Sequence, residues 1–332
     1  MTSLIEGIDQ ISEKFISYVR AELNDSMVDY ESPLTQLQGG FETSIYRFRL
    51  KGVQKELSKP LILRLYPQFY GTTNAIWESF VQNMLVGEGY PVARVYGTCT
   101  DMSILGGAFF IMDLLPGEPM ATAPIEIVPE MLGKAHAALH DIDPEPLVKS
   151  LNKQGIDKNT YRLNNRIDML QEKASKLPWI REGVAWLIKN RPPEPERLAA
   201  CHGDFHPLNI LIQDGKITGV LDWGSFLIAD PAYDIANTIL LTTVPIKHLC
   251  TSVMGPEFAS IDWEMISRQY LEAYRLLRQI DSTHLDYYQV NRCVNGLIQG
   301  FEGQEVWQLP IIVKDLIDYI GKVTDIRITM PG

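Results

Sequence analysis

The chain has 332 residues, 45% hydrophobic and 21% charged, a balance that excludes a disordered or fibrous protein and fits a globular one. Its formal net charge of −11 argues against general nucleic-acid binding, and no apolar run reaches the length of a membrane span. The N-terminus lacks a basic patch followed by an apolar core, and the four cysteines (Cys99, Cys201, Cys250, Cys293) include no CxxC pair, which together predict a cytoplasmic protein with reduced thiols.

Residues 4–23 place Leu4, Ile8, Ile11, Phe15, Val19 and Leu23 three or four apart, the pattern of an amphipathic packing helix. From Leu34 to Tyr66 the period changes to two. Leu34–Gln38, Ser44–Leu50 and Leu61–Tyr66 are predicted strands. Gly39-Gly40 between the first two makes a turn that can present backbone N–H groups to phosphate oxygens, or simply an ordinary hairpin. Arg64 interrupts an apolar run and must emerge on a polar face or find a partner. Glu78, on a helix running from Thr72/Thr73 to about Val86, is a candidate partner. Arg94–Thr98 and Ala108–Leu114 are predicted as further strands, the second running into Pro116-Gly117. There the pattern switches from strands to helices, which puts a domain boundary near residues 115–120.

Glu130–His140 is a predicted helix carrying His136 and His140 four apart. That spacing can bind metal, but no third ligand lies nearby in sequence, so a structural role is favoured. Asp141–Asp157 reads as a connector, Arg162–Ser175 and Ile180–Asn190 as helices, and Arg191–Pro195 as a stiff linker. It leads to the most informative stretch, Cys201–Asn237. Two β-rich runs, Leu208–Ile212 and Ile217–Leu221, flank an Asp214-Gly215 hairpin signal. Such a hairpin should bring Asp204, Asn209 and Asp222 together at its open end. Three oxygen-bearing side chains suit a hard cation such as Mg²⁺. They also match the needs of phosphoryl transfer: one carboxylate to orient a hydroxyl, an amide and a second carboxylate to hold metal. Asp230-Pro231 starts a helix over Ala232–Thr242. Trp263–Gln279, Thr283–Ile298 and Pro310–Ile326 complete a helical C-terminal region. The chain contains neither a GxxxxGK[ST] loop nor a GxGxxG that follows a strand and opens a helix.

Three segments carry a resemblance. They are His202-Gly203-Asp204-Phe205-His206-Pro207-Leu208-Asn209, then Asp222-Trp223-Gly224, then Asp230-Pro231-Ala232-Tyr233-Asp234-Ile235-Ala236. In this order and spacing they resemble the aminoglycoside phosphotransferase and choline kinase family, the small-molecule branch of the protein-kinase fold, over about Leu34–Leu241. The resemblance implies an α+β, protein-kinase-like bilobal fold. Residues 1–115 would form a small antiparallel-sheet lobe that binds nucleotide, and residues 116–332 a larger, mainly helical lobe. It implies a phosphotransferase that moves the γ-phosphoryl group of ATP (or GTP), with Mg²⁺, to a hydroxyl of a small molecule: an aminoglycoside-like or other antibiotic, a sugar or an amino alcohol.

By the same resemblance Asp204 is the catalytic aspartate, His202 braces its loop, Asn209 and Asp222 hold metal, and Asp234 ties the loop to the following helix. His206 would approach the phosphates or only hold the loop. Gly39, Gly40 and Ser44 fall in the loop over the phosphates. Met112 falls at the gatekeeper, and Asp113 and Leu115 offer adenine a backbone carbonyl and N–H. Arg64 and Glu78 fall where kinases carry a lysine–glutamate pair. Arginine is a departure, because it is a planar fork where lysine is a point charge. The alternative, a catalytically inactive nucleotide-binding regulatory module, could have lost Asp204, Asn209 and Asp222, and all three are present. A protein kinase is disfavoured, since no APE motif follows Gly224.

The acceptor pocket is expected in the C-terminal helices. Asp262, Glu264, Glu272, Asp281, Asp286, Glu302 and Glu305 are interleaved there with Trp263, Tyr270, Tyr274, Tyr287, Tyr288, Phe301 and Trp307. Such a set suits a cationic or sugar-like substrate, unless the acids face water and the aromatics are core.

Overall fold

A computed structural model describes residues 7–37, 43–253 and 255–331. Contacts divide the chain into two units, Met1–Gly117 with Thr218–Gly224, and Glu118–Ile217 with Ser225–Gly332. A single cut near residues 115–120 therefore leaves out one short return of the chain to the smaller unit.

The smaller unit is a five-stranded antiparallel sheet in the order β1-β2-β3-β5-β4. Its strands are β1 (Asp29–Leu37), β2 (Ser44–Lys51), β3 (Leu61–Leu65), β4 (Val95–Cys99) and β5 (Phe109–Asp113). In β2 the buried residues Tyr46, Phe48 and Leu50 alternate with exposed Arg47, Arg49 and Lys51, so one face is committed to a core. Helix α1 (Ile8–Glu22) covers that face, its Ile11, Phe15, Ile16 and Val19 packing with Phe48, Leu61, Leu63 and Phe109. The Phe15 and Phe48 rings meet edge-to-face at 5.0 Å. On the opposite face Ile62, Tyr66, Phe110 and Met112 pack with Ala75 of α2 (Thr73–Gly87). β1 begins earlier than its period-two pattern suggests and shifts register on both sides of Ser32. Pro33 accounts for this, because it has no N–H to give a ladder and is tolerated on an edge strand. Helix α3 (Met102–Leu105) precedes β5. The return segment is anchored by the Val220 N–H, which donates to Pro91 O at 2.8 Å.

The larger unit is mainly helical. Its helices are α4 (Val128–Asp141), α5 (Pro144–Lys153), α6 (Lys158–Tyr161), α7 (Leu163–Lys176), α8 (Arg181–Lys189), α9 (Pro231–Leu241), α10 (Lys247–Val253), α11 (Trp263–Arg275), α12 (Leu285–Phe301) and α13 (Pro310–Thr324). Val184, Leu187, Ala236, Val290, Val294, Leu297, Ile312 and Leu316 make its core, which fastens α8, α9, α12 and α13 together. Gly133 lets α4 and α11 cross closely: a Cβ there would lie 2.8 Å from the Tyr274 N.

The predicted connector Asp141–Asp157 contains helix α5. Its signals are short-range ones: Asp143 caps it by accepting from the Glu145 N–H at 2.9 Å, and Pro144 opens it. Leu147 and Leu151, one helical step apart, are its buried face. Two short strands also emerge, β7 (Ala199–Cys201) and β10 (Leu227–Ala229), paired antiparallel. Three buried apolar residues carry no period, so neither strand could be read from its pattern. Strand β6 (Glu118–Pro119) pairs with β8 (Ile210–Gln213). Strand β9 (Lys216–Val220) carries the chain toward the smaller unit. All four cysteines are buried and none forms a disulfide. Among the described residues no helix is long and apolar enough to cross a membrane.

Candidate active site

The loop Cys201–Asn209 leaves β7 and turns sharply at Gly203, whose φ is +80°. Only glycine fits: a Cβ there would lie 2.6 Å from Ser225 O. Asp204 follows, held on several sides. Its N–H donates to His202 Nδ1 at 3.1 Å. Asn209 Nδ2 donates to the Asp204 backbone O at 3.0 Å and to Oδ2 at 3.2 Å. His206 Nε2 stands 3.4 Å from Oδ2, and the Arg292 guanidinium 3.9 Å from Oδ1. Burial opposes charge on Asp204, but His206, Arg292 and His202 outweigh it and hold its carboxyl well below the usual carboxylate range. At neutral pH the group is an ionised carboxylate, able to accept a hydroxyl's hydrogen bond. Phe205 fixes the loop from behind, stacked on His136 at 4.1 Å and edge-on to His202 at 5.7 Å.

Beneath the loop sits Asp234, fully buried near the start of α9. Its Oδ2 accepts the His202 N–H at 2.6 Å, and its Oδ1 the Gly203 N–H at 2.7 Å. His136 and His140 place Nε2 at 2.9 and 3.3 Å from the same Oδ2. Their Nδ1 atoms lie 2.6 Å from the Tyr270 hydroxyl and 2.9 Å from the Tyr274 hydroxyl. A carboxylate can only accept, so each imidazole carries a proton on Nε2 and donates it to Asp234. The three ligand atoms of His136, His140 and Asp234 lie within 4.8 Å of one another, as a metal site would need. Every nitrogen of the two rings is nonetheless spent on a hydrogen bond, so the His136–His140 pair is a brace that joins α4, α9, α11 and the loop. Burial works against the charge on Asp234. The two histidines reverse that and keep its carboxyl far below the ordinary range.

The brace has a pH signature. Burial, with His136 beside it, lowers His140 from 6.5 to about 4. The unfolded chain therefore binds a proton there below about pH 6.5 that the folded chain refuses until about pH 4, and stability contributed by neutral His140 is lost as pH falls through that window. The loss is on the order of 3 kcal/mol. Urea titrations at pH 7.5 and 4.5 are expected to show it, with a smaller difference in His140→Gln; an unchanged difference in the variant would remove His140 as its source.

In the smaller unit, Arg64 lies on β3 between Ile45 and Phe110 in register. Its NH1 donates to Glu78 Oε1 at 2.7 Å, so strand and α2 are joined by the pair. Its NH2 reaches Asp222 Oδ1 at 3.2 Å, a contact the sequence did not suggest. The planar fork of arginine explains how one side chain serves two carboxylates where a lysine would serve one point. The Tyr66 hydroxyl donates to Glu78 Oε2, and Gln82 Nε2 to Oε1 at 3.4 Å. Burial pushes the Glu78 carboxyl up, Arg64 pulls against it, and the Asp222 charge adds to the rise. Asp222 itself sits in the left-handed region at φ +65°, sparsely populated by non-glycine residues and common at functional sites. Trp77 Nε1 holds the following turn by donating to Gly224 O at 3.2 Å.

The structure thus gathers Asp204, Asn209, His202 and His206 in the larger unit, and Arg64, Glu78 and Asp222 in the smaller. Ser44 opens β2 opposite Leu65, and Met112 is buried in β5. The Asp113 N–H donates to Arg94 O at 3.0 Å, and its carboxylate takes the Tyr96 hydroxyl at 2.8 Å and Lys59 at 2.7 Å. Leu115 follows β5, half-buried. Gly39 and Gly40 lie outside the described residues.

The expected acid-and-aromatic acceptor pocket does not form. Asp262, Glu264, Glu272, Asp281, Asp286, Glu302 and Glu305 are all exposed, while Trp263, Tyr270, Tyr274, Tyr287, Tyr288 and Trp307 are core. Glu264, Glu272 and Asp286 face water on the outer side of helices whose other side is packed, and Asp262, Asp281, Glu302 and Glu305 lie at helix ends or in the connections between them. Arg292 was not among the expected site residues. It had a signal: Asn291, Asn295 and Gln299, one helical step apart, with Arg292 beside them, form a polar stripe along the otherwise apolar α12.

These features have counterparts in known proteins. The phosphotransferase enzyme family (APH) profile matches residues 33–253. Acyl-CoA dehydrogenase family member 11 of Gallus gallus is 27% identical over 173 residues, 48% of this chain and 22% of that protein, so the chain spans under a quarter of that relative's length. Aminoglycoside 3'-phosphotransferase of Streptomyces fradiae is 26% identical over 210 residues, 61% of this chain and 72% of that protein. A thermostable mutant of aminoglycoside phosphotransferase APH(4)-Ia, solved as a ternary complex with AMP-PNP and hygromycin B, superposes with a TM-score of 0.58 at 14% identity, covering 94% of this chain and 99% of that one. The α+β fold is therefore that of the kinase-like phosphotransferases, and the chain belongs to the phosphotransferase enzyme family.

Proposed function

We propose that the chain transfers the γ-phosphoryl group of ATP or GTP, with Mg²⁺, to a hydroxyl of a small molecule. The observation that carries this reading is the state of Asp204. It is an ionised carboxylate on a tightly braced loop, with the Asn209 amide bound to it at 3.2 Å. In the proposed mechanism Asp204 receives the acceptor hydroxyl's hydrogen bond, orients its oxygen and takes up its proton as the new O–P bond forms and the bond from the γ-phosphorus to the β,γ-bridging oxygen breaks, releasing the nucleoside diphosphate. His202 and Asp234 hold Asp204 in place and do not touch the reacting atoms.

Asn209 and Asp222 are the proposed metal ligands, and their chemistry fits a hard cation. Asn209 commits its Nδ2 to Asp204, leaving the carbonyl oxygen to coordinate, and the Asp222 side chain is 49% exposed. Mg²⁺, when bound, neutralises charge on the phosphate oxygens. Arg64 is assigned to the phosphates and to positioning Asp222, with Glu78 orienting Arg64. Gly39, Gly40 and Ser44 are assigned to the phosphate loop, and Met112, Asp113 and Leu115 to the adenine edge, the last two through their backbone.

The test is a panel of hydroxylated small molecules incubated with MgATP or MgGTP, read by nucleoside diphosphate release and product mass. Tight MgATP binding with no phosphorylated product from any acceptor would favour a regulatory nucleotide-binding module instead. Asp222→Ala is expected to weaken metal-dependent nucleotide binding about tenfold or more, equivalent to about 1.4 kcal/mol, and to lower turnover with it. Calorimetry with and without Mg²⁺ checks this, and unchanged Mg²⁺ dependence would remove Asp222 from the metal site.

A further inference from the structure

Beside Gly203, inside the larger unit, is a pocket of about 90 Å³ whose polar lining includes Arg166, Asn291, Arg292, Asn295 and Gln299. Among the described residues no carboxylate lines it, although the chain as a whole carries a net charge of −11. Arg166 spends its guanidinium on neutral carbonyls, donating from Nε to Thr160 O at 2.9 Å and from NH2 to Phe226 O at 3.0 Å. Its charge is therefore half-buried, with carbonyl oxygens and no acid in these contacts. The Arg292 guanidinium carbon lies over Trp307, 4.3 Å from the ring centre, and its NH1 donates to Gln299 Oε1 at 3.0 Å. Its nearest acid is Asp204, at 3.9 Å.

Two donors in this lining are buried with no acceptor. Arg292, 9% exposed, has an unpartnered Nε, and Asn291, 2% exposed, has an unpartnered Nδ2. A buried donor left unsatisfied costs about 1–3 kcal/mol. The Arg292 Nε and the Asn291 Nδ2 thus lack acceptors, and of the two guanidinium groups Arg292 has the Asp204 carboxylate at 3.9 Å while Arg166 meets carbonyl oxygens. Water would supply the oxygens but leave the charge uncompensated. A carboxylate supplies both, and guanidinium groups match its geometry.

We infer that this pocket binds the carboxylate of the acceptor, so that the chain selects small hydroxy acids over amino alcohols and neutral polyols. The inference rests on the phosphotransferase reading for the word acceptor, while the pocket itself can be tested without turnover. Asp204 stands beside Arg292, so a carboxylate in the pocket would bring a hydroxyl a few bonds away toward the catalytic carboxylate. The exposed acids elsewhere on the C-terminal helices then serve solvation and do not recognise a cationic substrate.

The experiment is calorimetry on nucleotide-free protein in low-chloride buffer with 3-hydroxybutyrate, propane-1,2-diol, ethanolamine and inorganic phosphate as separate probes. Saturable binding of 3-hydroxybutyrate, at least tenfold tighter than the diol and ethanolamine, is expected, and this arm needs no variant. Arg292→Met should lose that binding at least tenfold, and Arg292→Lys should keep part of it. Equal binding of the neutral or cationic probe, or an Arg292→Met protein that is folded and binds as well, would overturn the proposal. Phosphate binding tighter than the hydroxy acid would also overturn it, by assigning the pocket to a free anion. Hydroxy-acid binding with no phosphorylation of it or of any other acceptor in MgATP would keep the pocket and sink the phosphotransferase reading. Turnover of neutral or cationic acceptors without anion binding would do the reverse.

Discussion

Asp204→Ala is expected to lower kcat by about 10²–10⁴-fold, the range of a lost general base, while nucleotide affinity changes little. The variant should still fold. Asn209 Nδ2 also donates to the Asp204 backbone oxygen at 3.0 Å, and the Asp204 N–H donates to His202 Nδ1 at 3.1 Å, so the loop keeps its hydrogen bonds when the carboxylate is gone. Steady-state turnover with an accepted substrate, alongside calorimetric nucleotide binding, checks both halves. Full activity in Asp204→Ala would sink the mechanism. Because its neighbours hold the Asp204 carboxyl below the ordinary range, acidification toward pH 5 should not inactivate the enzyme through this residue. An acid limb there must come from another group.

The second large effect is on stability. Asp234→Ala removes one carboxylate and strands four donors at once: the His202 and Gly203 N–H groups and the Nε2–H groups of His136 and His140. Breaking a buried charged network from one side costs about 3–5 kcal/mol. For a chain of this size that lowers the melting midpoint by roughly 4–7 °C. Asp234→Asn keeps the volume and one acceptor oxygen, and should recover part of the loss. Thermal melts of the three proteins test this order. A melt within about 1 °C of the parent for Asp234→Ala would show that the brace contributes little, since a shift that small corresponds to under about 1 kcal/mol.

Much of the site is legible in the sequence because its signals are local. Asp230-Pro231 encodes a helix start within two residues, and the Asp230 carboxylate does accept the Ala232 N–H at 2.8 Å. Asp214-Gly215 encodes a turn, and both residues have positive φ. The spacing of Asp204 and Asn209 on one short loop is enough to make them neighbours. A charge in the middle of β3 demanded a partner, and Glu78 one helix later was the nearest acid able to supply it.

The order of residues along the chain is therefore enough for most of the elements, the family and the candidate site residues, all written in short-range patterns or in one motif run. Packing alone settles which distant groups each buried charge meets. His136 finds Tyr270 and His140 finds Tyr274, each 134 positions away, because a close helix crossing at Gly133 brings α4 against α11. Arg64 turned out to hold two acids, 158 positions separating it from Asp222. The acids expected to bind a substrate face water, and the polar stripe of α12 faces the Cys201–Asn209 loop instead. The physical reason is the same in each case. Period and capping follow from neighbours along the chain, whereas the partner of a buried polar group is set by which helix faces pack together, and that is a property of the whole core.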